Sequence, residues 1–314
     1  MRFARSPMQE VVSSVTVLAA SPRAGLHRRW AEQARARVDP LPLDVLRAVV
    51  GCPRYLPDFL FPVPDRMDTT FDTELARVRA TPVDTVRTEL DRARGGAPLG
   101  PVLRPLYDDP ERGLGTLADQ LLAYWRTAIE PVWPRLRSLL DADVEYRSGQ
   151  LASGGVAEVL RTLHPRMRYA DAALRLGFDR WNSTSNLGAA GLLLVPCVFT
   201  WPALAFTKDV DQPMLTYGPR GVGRVWAGTP DGSPPLAQLL GRSRAALLAH
   251  LDLPVSSTQL TVRLGLTAPA ISEHLSVLRR AGLVTSRRSG RSVLYRRTPL
   301  ADQLLLTAEG SVLP

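Results

Sequence analysis

Between Thr267 and Arg280 the sequence reads TAPAISEHLSVLRR, and three of its side chains carry the chemistry of base and phosphate recognition. Ser272 can donate to or accept from a base edge or a phosphate oxygen. Glu273 can accept from a cytosine amino group, and Arg280 can pair with guanine or phosphate. Just beyond, LVTSRRSGRSVLYRRT (283–298) gathers Arg287, Arg288 and Arg291 around Ser289-Gly290, a hairpin-turn signal. Seven arginines and no acid lie between Glu273 and Asp302. Such a run attracts phosphate, but it also occurs as a solvated basic corner that only aids solubility.

Placing these residues on a nucleic acid requires a helix and a strand pair, and the flanking sequence supplies the signals for both. Ser256-Ser257-Thr258-Gln259 forms a capping box that opens a short helix. Leu260 and Leu264 are its inward positions, and Gly265 ends it as a left-handed cap. Thr267 caps the next helix, Pro269 sits in its first turn, and Gly282 stops it. Two helices joined by a short glycine-containing turn make a helix-turn-helix. At about 100° per residue, Ile271, Leu275 and Leu278 share the inward face. Pro269, Glu273, Ser276 and Arg280 lie opposite, with Ala270 and Ser272 at the flanks. The outward face is small at its start, from Thr267 and Ala268 to Ala270, which lets the backbone approach base edges closely. Ahead of this motif, LAQLLGRSRAALLAHL (236–251) predicts one helix with a leucine stripe that includes Leu239. Behind it, Val293 and Tyr295 alternate with Leu294 and Arg296, as in a strand. A basic hairpin alone would read as a solvated one. Joined directly to a helix-turn-helix in this order, it predicts binding to double-stranded DNA, with Tyr295 and the three tip arginines beside the helix.

The charge distribution agrees. The net charge is +9, but Lys208 is the only lysine, so arginine usage is a general habit of this chain. Location says more than the sum. From Ala237 to Pro314, ten arginines face four acids, 10 − 4 = +6, which leaves +3 for the preceding 236 residues. At 314 residues, two or three domains are expected. The pattern predicts an α+β protein: a mostly helical domain over 1–226 with a small antiparallel β-meander near 165–226, a linker over 227–235, and a helix-turn-helix domain over 236–314. The linker AGTPDGSPP holds three Pro and two Gly in nine residues. Pro131 and Pro134 should kink or restart the long amphipathic stretch from Leu114 to Leu160. The apolar run from Val11 has some leader-peptide character. Ser6 and Gln9 before it read better as a capped helix start, with Met8, Val11, Val12, Val15 and Leu18 on one helical face. No run of about 18 apolar residues occurs, so no spanning helix is expected. Two isolated cysteines, Cys52 and Cys197, suit a reducing, cytoplasmic setting and read as small buried apolar groups.

The segment STQLTVRLGLTAPAISEHLSVLRRAGLVTSRRSGRSVLYRRT resembles the winged-helix repressors of the ArsR type through its Leu-Gly turn, its S-x-H-L-x-x-L-x-x-A-G-L run and its basic wing ending in tyrosine. The resemblance covers roughly 236–305. It implies a winged helix-turn-helix, a homodimer, one recognition helix for each half of an inverted repeat, and repression relieved by an effector. The whole chain also resembles longer regulators of GC-rich bacteria with a poorly characterised helical N-terminal domain, sharing LHPRMRY (163–169) and GLLLVPCVFTWP (191–202) as landmarks. Metal-sensing members carry cysteines on the second helix, here SSTQLTVRLG (256–265), or Asp/His ligands on a C-terminal dimer helix. Here that second helix has no Cys and the tail has no His, so no metal is expected.

A small-molecule effector would need a pocket, for which Tyr124, Trp125, Trp133, Trp201 and Trp226 are the aromatic candidates. The competing assignment for such residues is core. No nucleophile elbow, phosphate-binding loop or zinc-protease pattern occurs. No catalytic residue and no cofactor are therefore predicted. The rival from another class is an enzyme with its active site in the N-terminal domain, using the winged helix for regulation or protein interaction. No nucleophile–base constellation supports it.

Overall fold

The computed structural model describes residues 1–19, 26–52, 55–164, 166–170, 173–176, 191–207, 212–226, 234–251, 254–289 and 292–310. They fall into two compact units, Met1–Val222 and Gly223–Pro314. The expected linker lies outside the described residues as far as Ser233. Its last two prolines already belong to a helix.

The first unit opens with β1 (Arg2–Phe3) and α1 (Pro7–Ala19). The Gln9 N–H donates to Ser6 Oγ at 3.0 Å, so Ser6 caps α1 as its sequence predicts. Met8, Val11, Val12 and Val15 are buried and Leu18 is half-buried, and the apolar run from Val11 is thus a packed helix face. There follow α2 (Arg28–Val38), α3 (Asp44–Val50), α4 (Phe71–Arg79), α5 (Val83–Arg94), α6 (Arg104–Asp108) and α7 (Pro110–Tyr124). Past Tyr124 the backbone widens into a π-turn over Trp125–Ile129 and tightens into a 3-10 turn over Glu130–Val132. Pro131 has no N–H to continue an α-helix there. Pro134 then sits in the first turn of α8 (Trp133–Leu163). That helix breaks at Gly155 (φ 69°, ψ −170°). Arg147 Nη1 donates to Thr162 Oγ1 at 2.9 Å across the break.

The strands of this unit are β2 (Met167–Ala170), β3 (Ala173–Leu176), β4 (Leu193–Pro196), β5 (Leu204–Thr207) and β6 (Met214–Tyr217). The α+β class is as the sequence indicates. In place of one antiparallel meander there is an antiparallel β2–β3 pair and a four-stranded sheet of order β1-β4-β6-β5. In that sheet β4 runs parallel to both β1 and β6, and only β5 is antiparallel to its neighbour. Every residue of β4 and β6 is buried, as parallel strands covered on both faces require.

Several buried acids tie this unit together. Glu10 of α1 accepts from Val198 N at 2.8 Å, Phe199 N at 3.3 Å and the Cys197 thiol at 3.3 Å. Glu74 of α4 accepts from Met8 N at 2.8 Å. Asp143 accepts from Tyr217 Oη at 2.6 Å and Arg220 N at 2.9 Å. Cys197 is therefore a hydrogen-bonded thiol rather than an apolar filler. Cys52, half-buried, donates to Ala48 O at 3.5 Å, and both cysteines are free.

The second unit comprises α9 (Pro234–Leu240), α10 (Arg242–Ala249), β7 (Val255–Ser256), α11 (Ser257–Leu264), α12 (Ala268–Arg280), β8 (Val284–Ser289), β9 (Ser292–Arg297) and α13 (Pro299–Gly310). The single helix predicted over 236–251 is corrected here. Gly241, at φ 83°, breaks it into α9 and α10, and Leu239 is 71% exposed rather than part of the buried stripe. The three strands form a sheet of order β7-β9-β8.

Candidate nucleic-acid interface

The reading head is built from local signals outward. Ser256 Oγ accepts from Gln259 N at 3.2 Å, and Ser256 N donates to Gln259 Oε1 at 2.9 Å, which completes the capping box of α11. Gly265, at φ 64°, closes α11 in the left-handed region. The chain turns at once into α12, where Thr267 holds the cap position and its carbonyl accepts from Ile271 N at 3.0 Å. The Thr267 hydroxyl makes no capping bond. At the far end, Gly282 N donates to Arg279 O at 3.0 Å and Leu283 N to Leu278 O at 2.9 Å. Those two bonds, with Gly282 at φ 70°, are a Schellman closure.

Ile271, Leu275 and Leu278 are buried against Leu247, Leu260 and Val284, so the rotation of α12 about its axis is fixed. That rotation exposes Thr267, Ala268, Pro269, Ser272, Glu273 and Arg280. Ala270 and Ser276 are half-buried and sit at the edge of the face rather than on its crest. The exposed start of α12 is small, as close approach to base edges demands.

Strands β8 and β9 pair antiparallel from Val284↔Arg297 to Ser289↔Ser292. Gly290 and Arg291, and with Gly290 the expected Ser289-Gly290 turn, lie outside the described residues. Arg287 and Arg288 are exposed. Tyr295 is half-buried and packs on the helix core through a strand that also pairs with β7. Two exposed arginines were missed by sequence reasoning: Arg279 on α12 and Arg296 on β9. Helical spacing puts Arg279 only a flank away from the inward face, which hides it in a periodicity argument. His274 is half-buried, and its Nδ1 is buried without a hydrogen-bond partner among the described residues.

The five aromatic residues considered for an effector pocket differ in their surroundings. Tyr124 is buried and shares a 2.9 Å hydrogen bond with Ser14. Trp125 stacks on Phe71 at 4.6 Å and meets the edge of Trp133 at 5.6 Å. Trp201, 36% exposed, lies edge-on to His164 at 6.0 Å. Trp226 belongs to the other compact unit. Tyr124, Trp125 and Trp133 serve the helical core. Among the described residues, no group of three His, Cys, Asp or Glu side chains is placed to hold a metal ion. Nor is any helix there long and apolar enough to cross a membrane.

Comparison with known proteins gives two matches. Residues 239–287, from the end of α9 into β8, match a helix-turn-helix domain family. Residues 84–219 match a family of unknown function (DUF5937). No curated protein and no solved structure matches the chain.

Proposed function

We propose that this chain, a DNA-binding regulator of transcription by virtue of its helix-turn-helix domain, is a homodimeric repressor of an inverted-repeat operator, released by a non-metal effector. In this reading α12 enters the major groove with Ser272 and Glu273 toward base edges. Thr267 and Arg280 meet phosphates, and the β8–β9 wing lays Arg287, Arg288 and Arg291 along the flanking backbone. The observation that carries it is the exposure pattern of α12: an outward face that is small at its start and charged toward its end, on a helix whose Ile271, Leu275 and Leu278 are committed to the core. Dimerisation and release rest on the resemblance to ArsR-type repressors and on the size of the N-terminal unit, where an effector would act. The setting this implies is cytoplasmic.

The test is a binding titration on the duplex immediately upstream of the gene, repeated across a salt series. Specific binding requires log K to fall with log salt by about 0.9 for each phosphate contact. It also requires a footprint of two half-sites about one helical turn apart. A scrambled duplex bound as tightly at every salt concentration would sink the operator claim. Effector release is read separately, as thermal protection of the protein by members of a metabolite panel; protection by none of them counts against it.

A further inference from the structure

Among the described arginines of the basic run, Arg297 is the one that turns inward. Arg279, Arg280, Arg287, Arg288 and Arg296 are exposed, whereas the Arg297 side chain is 11% exposed. Its Nε is paired with Asp302 in the first turn of α13. Its Nη1 donates to Leu248 O at 3.3 Å and Ala249 O at 3.4 Å, at the carboxyl end of α10. There a cation meets the negative end of the helix dipole. The backbone of the same residue pairs with Val284 of the wing and donates to Leu251 O at 2.9 Å.

Thr298 continues the junction. Its N–H donates to Leu283 O at 3.0 Å and its hydroxyl to Gly282 O at 2.8 Å, so it grips the end of α12. It also caps α13 by accepting from Ala301 N at 3.4 Å. Two consecutive residues therefore fasten the base of the wing to the ends of α10, α12 and α13. A guanidinium is suited to this because its planar fork spans three acceptors at fixed angles, which an ammonium on a flexible stem does not.

We propose that Arg297 is a positioning residue for DNA reading: held by Asp302 and the α10 carbonyls, it sets the angle between the wing and α12 and raises affinity without touching DNA. This rests on the DNA-reading function proposed above. It assigns one arginine of the run a task opposite to that of its neighbours.

The experiment compares Arg297→Lys, Asp302→Asn, their double variant and Arg288→Ala with the wild type. The probe is the duplex upstream of the gene, titrated by fluorescence anisotropy over a salt series at temperatures where each protein is folded. Arg297→Lys keeps the charge, and Asp302→Asn removes a negative one. Long-range electrostatics alone would hold or tighten binding in both. Positioning predicts the reverse, a loss of about tenfold in each, the scale of one charge-assisted hydrogen bond. The salt slope should not change, the double variant should be no worse than either single one, and amide exchange in β8–β9 should quicken. Arg288→Ala should lower the slope by about 0.9. Asp302 is 48% exposed, so its Asn variant reads the proposal even where Arg297→Lys is poorly folded. Unchanged or tighter binding by Asp302→Asn overturns the positioning role. Wild-type binding that ignores salt, or an Arg288→Ala slope equal to wild type, overturns the DNA-reading premise instead.

Discussion

Glu273 is the only acid on α12 and stands exposed on its outward face, a costly charge to hold beside a phosphate backbone. In the DNA-reading role proposed above its use would be selective: a carboxylate accepts from the cytosine amino group and repels acceptor-only edges, which is worth about 1–3 kcal/mol between bases. Glu273→Ala should therefore flatten preference at one base-pair position, by roughly tenfold, while binding to scrambled DNA tightens slightly. Selection from a randomised duplex measures both, and an unaltered base preference would remove Glu273 from the reading set. The residue scale also shows where type fails to predict surroundings. Tyr124 and Trp201 look alike as pocket candidates. The first is buried on Ser14, a partner 110 positions away, and the second is at the surface. No local pattern distinguishes them, because each environment is made by segments remote in sequence.

At the scale of elements, the reading head was legible because its signals are adjacent residues. The capping box at Ser256–Gln259, the left-handed Gly265 and Gly282, and the face of Ile271, Leu275 and Leu278 all stand where spacing puts them. The break at Gly241 was not legible, since leucines continue at helical spacing on both sides of it. The break lets Leu236 pack with Ala245 and Leu305 of α13, a contact no local window contains. For the same reason the pairing of Phe3 with Leu194 and of β4 with β6 stayed hidden: parallel, doubly buried strands show no alternation to read. The turn between α11 and α12 offers a direct check. A Cβ on Gly265 would meet nothing within 4 Å, so Gly265→Ala isolates backbone strain, about 1 kcal/mol. Melting of the C-terminal unit should fall by about 5 °C, and Gly265→Asn, which tolerates this region, should recover part of the loss. Equal melting of the Ala variant and the wild type would show that the turn does not need its left-handed residue.

Over the whole molecule the two units use charge in contrary ways. The C-terminal unit displays cations, whereas the N-terminal unit buries acids at the joints of its helices. Burial pushes Glu10 up to about 7, Glu74 to about 8 and Glu89 to about 7, with backbone N–H donors drawing each part of the way back. Burial also lowers His27 to about 4. The carboxyls bind protons more tightly folded than unfolded, so their stabilisation is complete below the unfolded value of 4.5 and is lost as pH rises through about 7 to 8. His27 works the other way, losing stability as pH falls below 6.5 toward 4. Above pH 6.5 it is neutral in both states and drops out of the balance, whereas the carboxyls still count. There each one costs up to about 1.4 kcal/mol per pH unit until it ionises in the fold. Glu74→Gln is neutral at every pH and keeps an oxygen to accept from Met8 N. Melting of the Met1–Val222 unit should drop between about pH 6.5 and pH 8 in the wild type and drop less in this variant, while the two converge only below about pH 4.5. Parallel pH profiles for the two proteins would mean that Glu74 is already ionised in the folded unit at neutral pH.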